Sequence, residues 1–545
     1  MPATANIARH LPAMAERRPT ASAVKIPRGR TRAGDIDYLA LSFAELNVEA
    51  GRWQERLTRA GVRRGDRTLV MVKPGLPLIG SVFALFAMGA VPVIIDPGMG
   101  LKSFLSCVAR TRPRAVVGIP MAMLVSRIAR KAFRGVQVRA GASARLDARL
   151  GKTGPGTGLS VADTGANDPA AILFTSGSTG APKGVCYEHG LFEAQVGLVR
   201  STYGIEAGEV DLPLLPVFAL FNPALGMTTI VPEIDPSRPA SVDPARIVQA
   251  IHQEGVTNSF GSPTLWSRIG SYCVEQGITL PTLRRVLCAG APVPARLWAD
   301  ALRFLPKGRM HSPYGATEAL PVSNAVQGEA QTESLEGADV GMPIKGMQVR
   351  VIAIDDGPVA RLSGTRELPR GEIGEIIVRG PVVTKAYDAL PEATAASKIT
   401  DDSDGALWHR MGDTGFIDDR GCLWFCGRKA ERVITADGTL FTEPCERVFR
   451  THPRARRCAL IGIGPKGRQS PALVAEADVR DSSDARDLAR ELRTLALSRP
   501  QTERIQIFYF RKRFPVDVRH NAKIHRLTLA EWAQTATGYR SEPKR

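Results

Sequence analysis

Along the first three hundred or so residues, short apolar, β-rich runs alternate with helical stretches. Arg67–Val72, Val91–Ile95, Ala115–Gly118 and Ala171–Phe174 read as strands, and Pro77–Met88 reads as a helix joining the first two. Strands separated by helices predict an α/β fold with largely parallel sheets. From about Val340 the texture changes. Met347–Ile354 and Glu372–Arg379 alternate apolar and polar positions, as in a smaller β subdomain covering about 340–427. Beyond Gly427-Arg428, strands at Arg457–Ile463, Ala472–Glu476 and Ile505–Tyr509 bracket a helix at Ser483–Leu497, an α+β pattern. The expected organisation is a large domain over 1–427 and a small one over 428–545.

One apolar run needs separate treatment. Residues 76–95 carry no charge for 20 residues, about the length of a membrane span. Gly80, Gly89 and Pro92 interrupt it, and Asp96-Pro97-Gly98 ends it as a turn. A buried helix feeding a buried strand is the expected structure, not a transmembrane segment.

At 545 residues the chain exceeds one compact core, in agreement with two domains. Its 72 Lys+Arg against 54 Asp+Glu give +18. That surplus suits a solvated basic surface, anionic ligands such as nucleotides, or a membrane surface. No aromatic-interleaved basic motif is present, so no nucleic-acid partner is expected. The N-terminal stretch lacks an apolar core of the secretory type. The eight cysteines form no CxxC pair, and Cys422 and Cys426 lack partners for zinc. Reduced thiols and a cytoplasmic location are expected.

The chemistry concentrates after Ala171–Phe174. That apolar strand runs into Thr175-Ser176-Gly177-Ser178-Thr179-Gly180-Ala181-Pro182-Lys183-Gly184. Glycines let the backbone approach an anion, while hydroxyls and free N–H groups donate to phosphate oxygens. Lys183 adds a positive charge. A Walker A loop ends in Gly-Lys-Ser/Thr, whereas Lys183 lies between Pro182 and Gly184, so this phosphate loop is of another kind.

The loop resembles the phosphate loop of the adenylate-forming superfamily, which includes acyl-CoA synthetases, adenylation domains and luciferases. Further boxes follow in the superfamily's order. They are Tyr314-Gly315-Ala316-Thr317-Glu318, Trp408 to Asp413, Gly427-Arg428, and Pro515 to Arg526 with Ala522-Lys523-Ile524. The resemblance implies ATP and Mg²⁺ as cofactors and a mobile C-terminal lid. It implies that Tyr314, with Gly315 and Ala316, stacks on adenine, and that Gly290-Ala291-Pro292 lines its other side. Thr317 would donate to the α-phosphate, and Glu318 would offer Mg²⁺ the hard oxygen it prefers. Asp413 would accept from both ribose hydroxyls. Arg428 would contact ribose or phosphates, or make a hinge salt bridge. Lys523 would screen the attacking carboxylate from the α-phosphate.

The wording of Ser312–Ser323, Thr282–Leu297, Trp408–Val433 and Phe221–Met227 is similar to one branch, the β-lactone synthetases of bacterial long-chain olefin biosynthesis. That branch implies activation of a long-chain 2-alkyl-3-hydroxy acid and attack by its own 3-hydroxyl, with acyl-CoA or acyl-carrier ligation as the alternative. It also implies an assembly with a reductase and a lactone decarboxylase. Three departures from acyl-CoA synthetases accord with this. Ala219 follows Pro216-Val217-Phe218 where a histidine is usual, Ala430 occupies the usual hinge Lys/Asp position, and Ala522 replaces a glycine before Lys523. His189 is a candidate base for the 3-hydroxyl, with a structural role as the alternative. Leu214–Met227 is a candidate wall for an acyl chain, with ordinary core packing as the alternative.

Overall fold

The computed structural model describes residues 5–142, 156–175, 181–235, 241–330, 334–516 and 523–541. Among them, one sheet of six strands runs in the order Val138–Gly141, Ala115–Gly118, Arg67–Met71, Val91–Ile94, Pro169–Thr175, Lys183–Glu188. Every pair is parallel except the last, which is an antiparallel hairpin. The apolar run at 76–95 divides into the helix Leu76–Ala87 and the strand Val91–Ile94. The helix is apolar on all sides because the core surrounds it. A Cβ on Gly80 would lie 2.6 Å from Trp53 Cδ1, so glycine is what lets that helix close on the indole. Among the described residues, no helix is long and apolar enough to cross a membrane.

The second large sheet, of 14 strands among the described residues, changes character along its width. Asn258–Gly261, Arg285–Cys288 and Arg309–Ala316 are parallel neighbours. From Ala319–Val326 onward the pairing is antiparallel, through Ala338–Pro343, Leu423–Arg428, Leu407–Ile417, Gly374–Arg379 and Gln348–Ile352. The strands beyond residue 340 therefore continue the central sheet. The join is Ala338–Pro343, which pairs with Asn324 on one side and Phe425 on the other. Gly341, at φ +79°, permits this, since a Cβ there would sit 2.0 Å from Asn324 O.

The C-terminal segment carries a further sheet of Arg457–Ile463, Ser470–Glu476, Ile507–Arg511 and Tyr539–Arg540. Strand alternation sends Leu460, Leu473 and Phe508 to one face, against Val448, Leu488 and Leu492 of two helices. It sends Ala459, Ile461 and Val474 to the other face, against Leu529. The third of these strands begins two residues later than the apolar pattern suggested, because Ile505 N is tied back to Thr502 O in a turn. All eight cysteines are free thiols.

Candidate active site

Two hairpins meet at the site through their described strands. The first joins Pro169–Thr175 to Lys183–Glu188, with Thr175 opposite Lys183. Ser176, Gly177, Ser178, Thr179 and Gly180 fall between these strands and lie outside the described residues. A strand, not a helix, follows the loop, which is the structural counterpart of the missing Walker A ending. The helix His189–Tyr203 starts only after that strand.

The second tip is Thr317-Glu318, the turn between Arg309–Ala316 and Ala319–Val326, with Ala316 opposite Ala319. Gly315 makes so tight a turn possible, because a Cβ there would lie 2.5 Å from Ala319 O. Residues 383–388 stitch the two hairpins together. Val383 bridges to Ala319, Tyr387 bridges to Val185, and Asp388 N donates to Gly184 O at 2.7 Å. Tyr187 Oη donates to Thr317 O at 2.5 Å. Tyr387 Oη donates to Glu318 Oε1 at 2.8 Å, and its ring lies 4.7 Å from Lys183 Nζ. One shared tyrosine thus brings together the lysine of the first hairpin and the carboxylate of the second.

Beside the second hairpin, Tyr314 Oη donates to Asp413 Oδ2 at 2.6 Å. Asp413 and Arg428 are opposite each other on paired strands, and Arg428 Nη1 stands 2.9 Å from Asp413 Oδ1. That contact is an ion pair without hydrogen-bond alignment, and Oδ1 is otherwise buried and unpartnered. Asp413 is only 3% exposed. Burial raises its carboxyl pKa, opposed by the charge of Arg428, the Tyr314 hydrogen bond and the charge of Lys523. Burial also holds the Tyr314 phenol well above its usual range, with Asp413 adding to the effect, so Tyr314 remains a donor.

Lys523, in the C-terminal segment, acts on Asp413 through its charge. Its backbone is positioned by a bridge between Val516 and Ile524. Three residues on, Arg526 binds Glu446 by two contacts of 2.7 Å and Glu431 at 2.9 Å. Lys429 pairs with Glu375 at 2.9 Å, and Arg432 and Lys466 each reach Asp356 at 2.7 Å. These pairs tie the segment after Arg428 to the antiparallel part of the large sheet. Gly290, Ala291 and Pro292 follow the strand Arg285–Cys288, the parallel neighbour of the strand that carries Tyr314. No hydrogen bond or ion pair links them to Tyr314 or Asp413 among the described residues.

Several residues here carried no local sequence signal. Tyr187 and Tyr387 are known only through their partners. Lys398 is 8% exposed and donates to Thr384 O and to His409 Nδ1, the latter at 3.1 Å. Burial pushes the Lys398 amine down to about 7, against the pull of Glu318. His189 has the structural role: it is fully buried, its Nδ1 accepts from Ile7 N at 3.4 Å, and Phe86 packs edge-on. Burial lowers its imidazole to about 4. Phe218, Phe221, Leu225 and Met227 line an apolar cavity that also touches Phe260 and Leu320, while Leu214, Leu215 and Ala219 of the same segment are packed in the core.

A buried carboxylate whose second oxygen accepts no aligned hydrogen bond, set between a tyrosine and an arginine, suits a sugar diol. Glu318 suits a metal-bound polyphosphate, since Tyr387 occupies Oε1 and Oε2 carries no hydrogen bond among the described residues. With this sheet architecture, they define a nucleotide-dependent enzyme of the adenylate-forming class. Residues 13–388 match the family described as AMP-binding enzyme, and the chain belongs to that family. The chain is 43% identical to an olefin beta-lactone synthetase of Xanthomonas campestris pv. campestris, covering 97% of both chains. It is 45% identical to an olefin beta-lactone synthetase of Stenotrophomonas maltophilia, over 97% of this chain and 98% of that one. Its fold matches an ATP-bound MatB from Rhodopseudomonas palustris with a TM-score of 0.78 and 21% identity, over 98% of this chain and 99% of that one.

Proposed function

We propose that this enzyme converts a long-chain 2-alkyl-3-hydroxy acid and ATP into a β-lactone, AMP and pyrophosphate. Asp413 carries the nucleotide half of the reading, because its Oδ1 is buried without an aligned donor and a ribose hydroxyl supplies one. The lactone half is supported by the near full-length likeness to two β-lactone synthetases.

In the first step a substrate carboxylate oxygen attacks the α-phosphorus, forming a P–O bond and releasing pyrophosphate. Two anions approach each other, so fixed positive charge must offset their repulsion. Lys523 supplies it from the C-terminal side and Lys183 from the base of the phosphate loop. Thr317 donates to the α-phosphate, while Tyr314 stacks on adenine with Gly290-Ala291-Pro292 on its far side. Glu318 would hold Mg²⁺, which would supply further neutralisation of the triphosphate. In the second step the substrate's 3-hydroxyl oxygen attacks the adenylated carbonyl carbon. The bond to AMP breaks, and the hydroxyl proton leaves to the AMP phosphate or to water. Tethering gives this attack a high effective concentration, which a strained four-membered ring requires.

Residues 428–545 act as a lid that turns about Gly427-Arg428 between the two steps. The reductase and lactone decarboxylase of the same cytoplasmic pathway are its expected partners. The test is incubation with ATP, Mg²⁺ and the hydroxy acid, with and without CoA. Product lighter than the acid by one water, formed without CoA, supports the reading. Strict dependence on CoA overturns it in favour of ligation.

A further inference from the structure

Gln195 sits on the helix His189–Tyr203 and is 3% exposed. Its Nε2 donates to Leu320 O at 2.9 Å. A carbonyl oxygen only accepts, so this contact fixes which end of the amide is which and turns Oε1 away from Leu320. Oε1 is buried and accepts from no group among the described residues. Leaving such an acceptor unpartnered costs about 1–3 kcal/mol, so a donor is expected from a ligand.

The location narrows that ligand. Gln195 and Leu320 both line the apolar cavity walled by Phe218, Phe221 and Phe260. Leu320 follows Glu318 by two residues, and the Thr317 carbonyl is held by Tyr187. Gln195 therefore stands where the cavity meets the hairpin tip that handles phosphate. Two other polar atoms of the same cavity, Tyr203 Oη and Asn258 Oδ1, are also buried and unpartnered. They belong to its wall among the apolar residues, whereas Gln195 is tied to the strand that leaves the Thr317-Glu318 tip.

We infer that Gln195 Oε1 accepts the hydrogen of the substrate's 3-hydroxyl and so selects 3-hydroxy acids and aims the hydroxyl oxygen at the activated carbonyl. The substrate class rests on the proposed function. An amide oxygen is too weak a base to take the proton, so Gln195 orients the nucleophile and the proton leaves with AMP or water. An acid without the hydroxyl, or with it methylated, leaves Oε1 unpaired in a dry site.

ATP–pyrophosphate exchange tests this, because it reports activation whether or not a lactone follows. Three acids of equal length are compared: 3-hydroxy, 3-deoxy and 3-methoxy. The wild-type enzyme is expected to favour the hydroxy acid by about 10- to 100-fold in kcat/KM, the value of one buried hydrogen bond. In Gln195→Met that preference is expected to collapse to within about threefold, because no amide oxygen is left unpaired by the deoxy acid. Equal use of all three acids by the wild type overturns the inference without any variant. An equal fall for hydroxy and deoxy acids in Gln195→Met also overturns it, since a merely structural residue acts that way. Discrimination in exchange without lactone in the product sinks the proposed function and the aiming of the hydroxyl at the carbonyl, and leaves only the selection of 3-hydroxy acids by Gln195.

Discussion

Tyr314 and Asp413 lie 99 positions apart in the chain, yet the Tyr314 hydroxyl donates to the Asp413 carboxylate across 2.6 Å. The tyrosine comes from the parallel half of the large sheet and the aspartate from its antiparallel half. The contact joins the expected adenine residue to the expected ribose residue. It also fixes which carboxylate oxygen remains for a ligand. Tyr314→Phe is expected to keep the ring and raise the KM for ATP about tenfold, the effect of one hydrogen bond to a charged group. Steady-state exchange at varied ATP measures it, and an unchanged KM counts against the assignment.

Lys523 acts on Asp413 through its charge, and Arg526 anchors the same stretch to Glu446 and Glu431. Lys523→Ala is expected to lower pyrophosphate release by about 100-fold or more, while ATP binding measured by calorimetry changes only a few-fold. Undiminished release in that variant refutes the role given to the lysine.

Asp356 receives both Lys466 and Arg432, and the Lys466 hydrogen bond above all holds its carboxyl down to about 2. These pairs span the segments that the proposed lid motion separates. In Asp356→Asn, cleavage by trypsin after Lys429 or Arg432 is expected to rise about two- to fivefold. High salt should narrow the difference between variant and wild type, because the pairs are partly exposed. Equal cleavage rates at low salt speak against the contact holding the lid.

Lys398 has a folded pKa of about 7 against 10.5 for a free lysine. Between those values the unfolded chain binds the extra proton, so this residue makes stability rise with pH from about 7 to 10.5. Below about 7 both states are charged and its contribution is flat. Lys398→Met is expected to remove that slope. Melting temperatures at pH 7 and pH 9.5 check it, and parallel changes in both proteins exclude the effect.

Much of the architecture was legible from pattern alone. Strand-length apolar runs separated by helices follow directly from side-chain periodicity, and Arg67–Met71, Val91–Ile94 and Arg457–Ile463 lie where that periodicity puts them. The apolar run at 76–95 resolved into helix and strand at Gly89, whose φ of +66° turns the chain out of the helix just before the strand begins. Family membership was legible too, because the boxes keep their order and wording along the chain.

What the sequence determined by itself was local: which segments form strands, where the turns fall, and which residue types occupy the motifs. Tertiary structure decided the rest, because partners far apart in the chain meet only when the sheets assemble. The register through Ala338–Pro343 joins the strands beyond residue 340 to the central sheet, and that pairing depends on Gly341 fitting against Asn324. Tyr387 has no motif of its own, yet it links Lys183 to Glu318 once residues 383–388 thread between two hairpins. Gln195 reads as one polar position on a helix until Leu320 O orients its amide and leaves a buried acceptor without a partner on a residue that lines an apolar cavity. Hydrogen-bond direction and burial are properties of packed neighbours, and no local pattern in the chain encodes them.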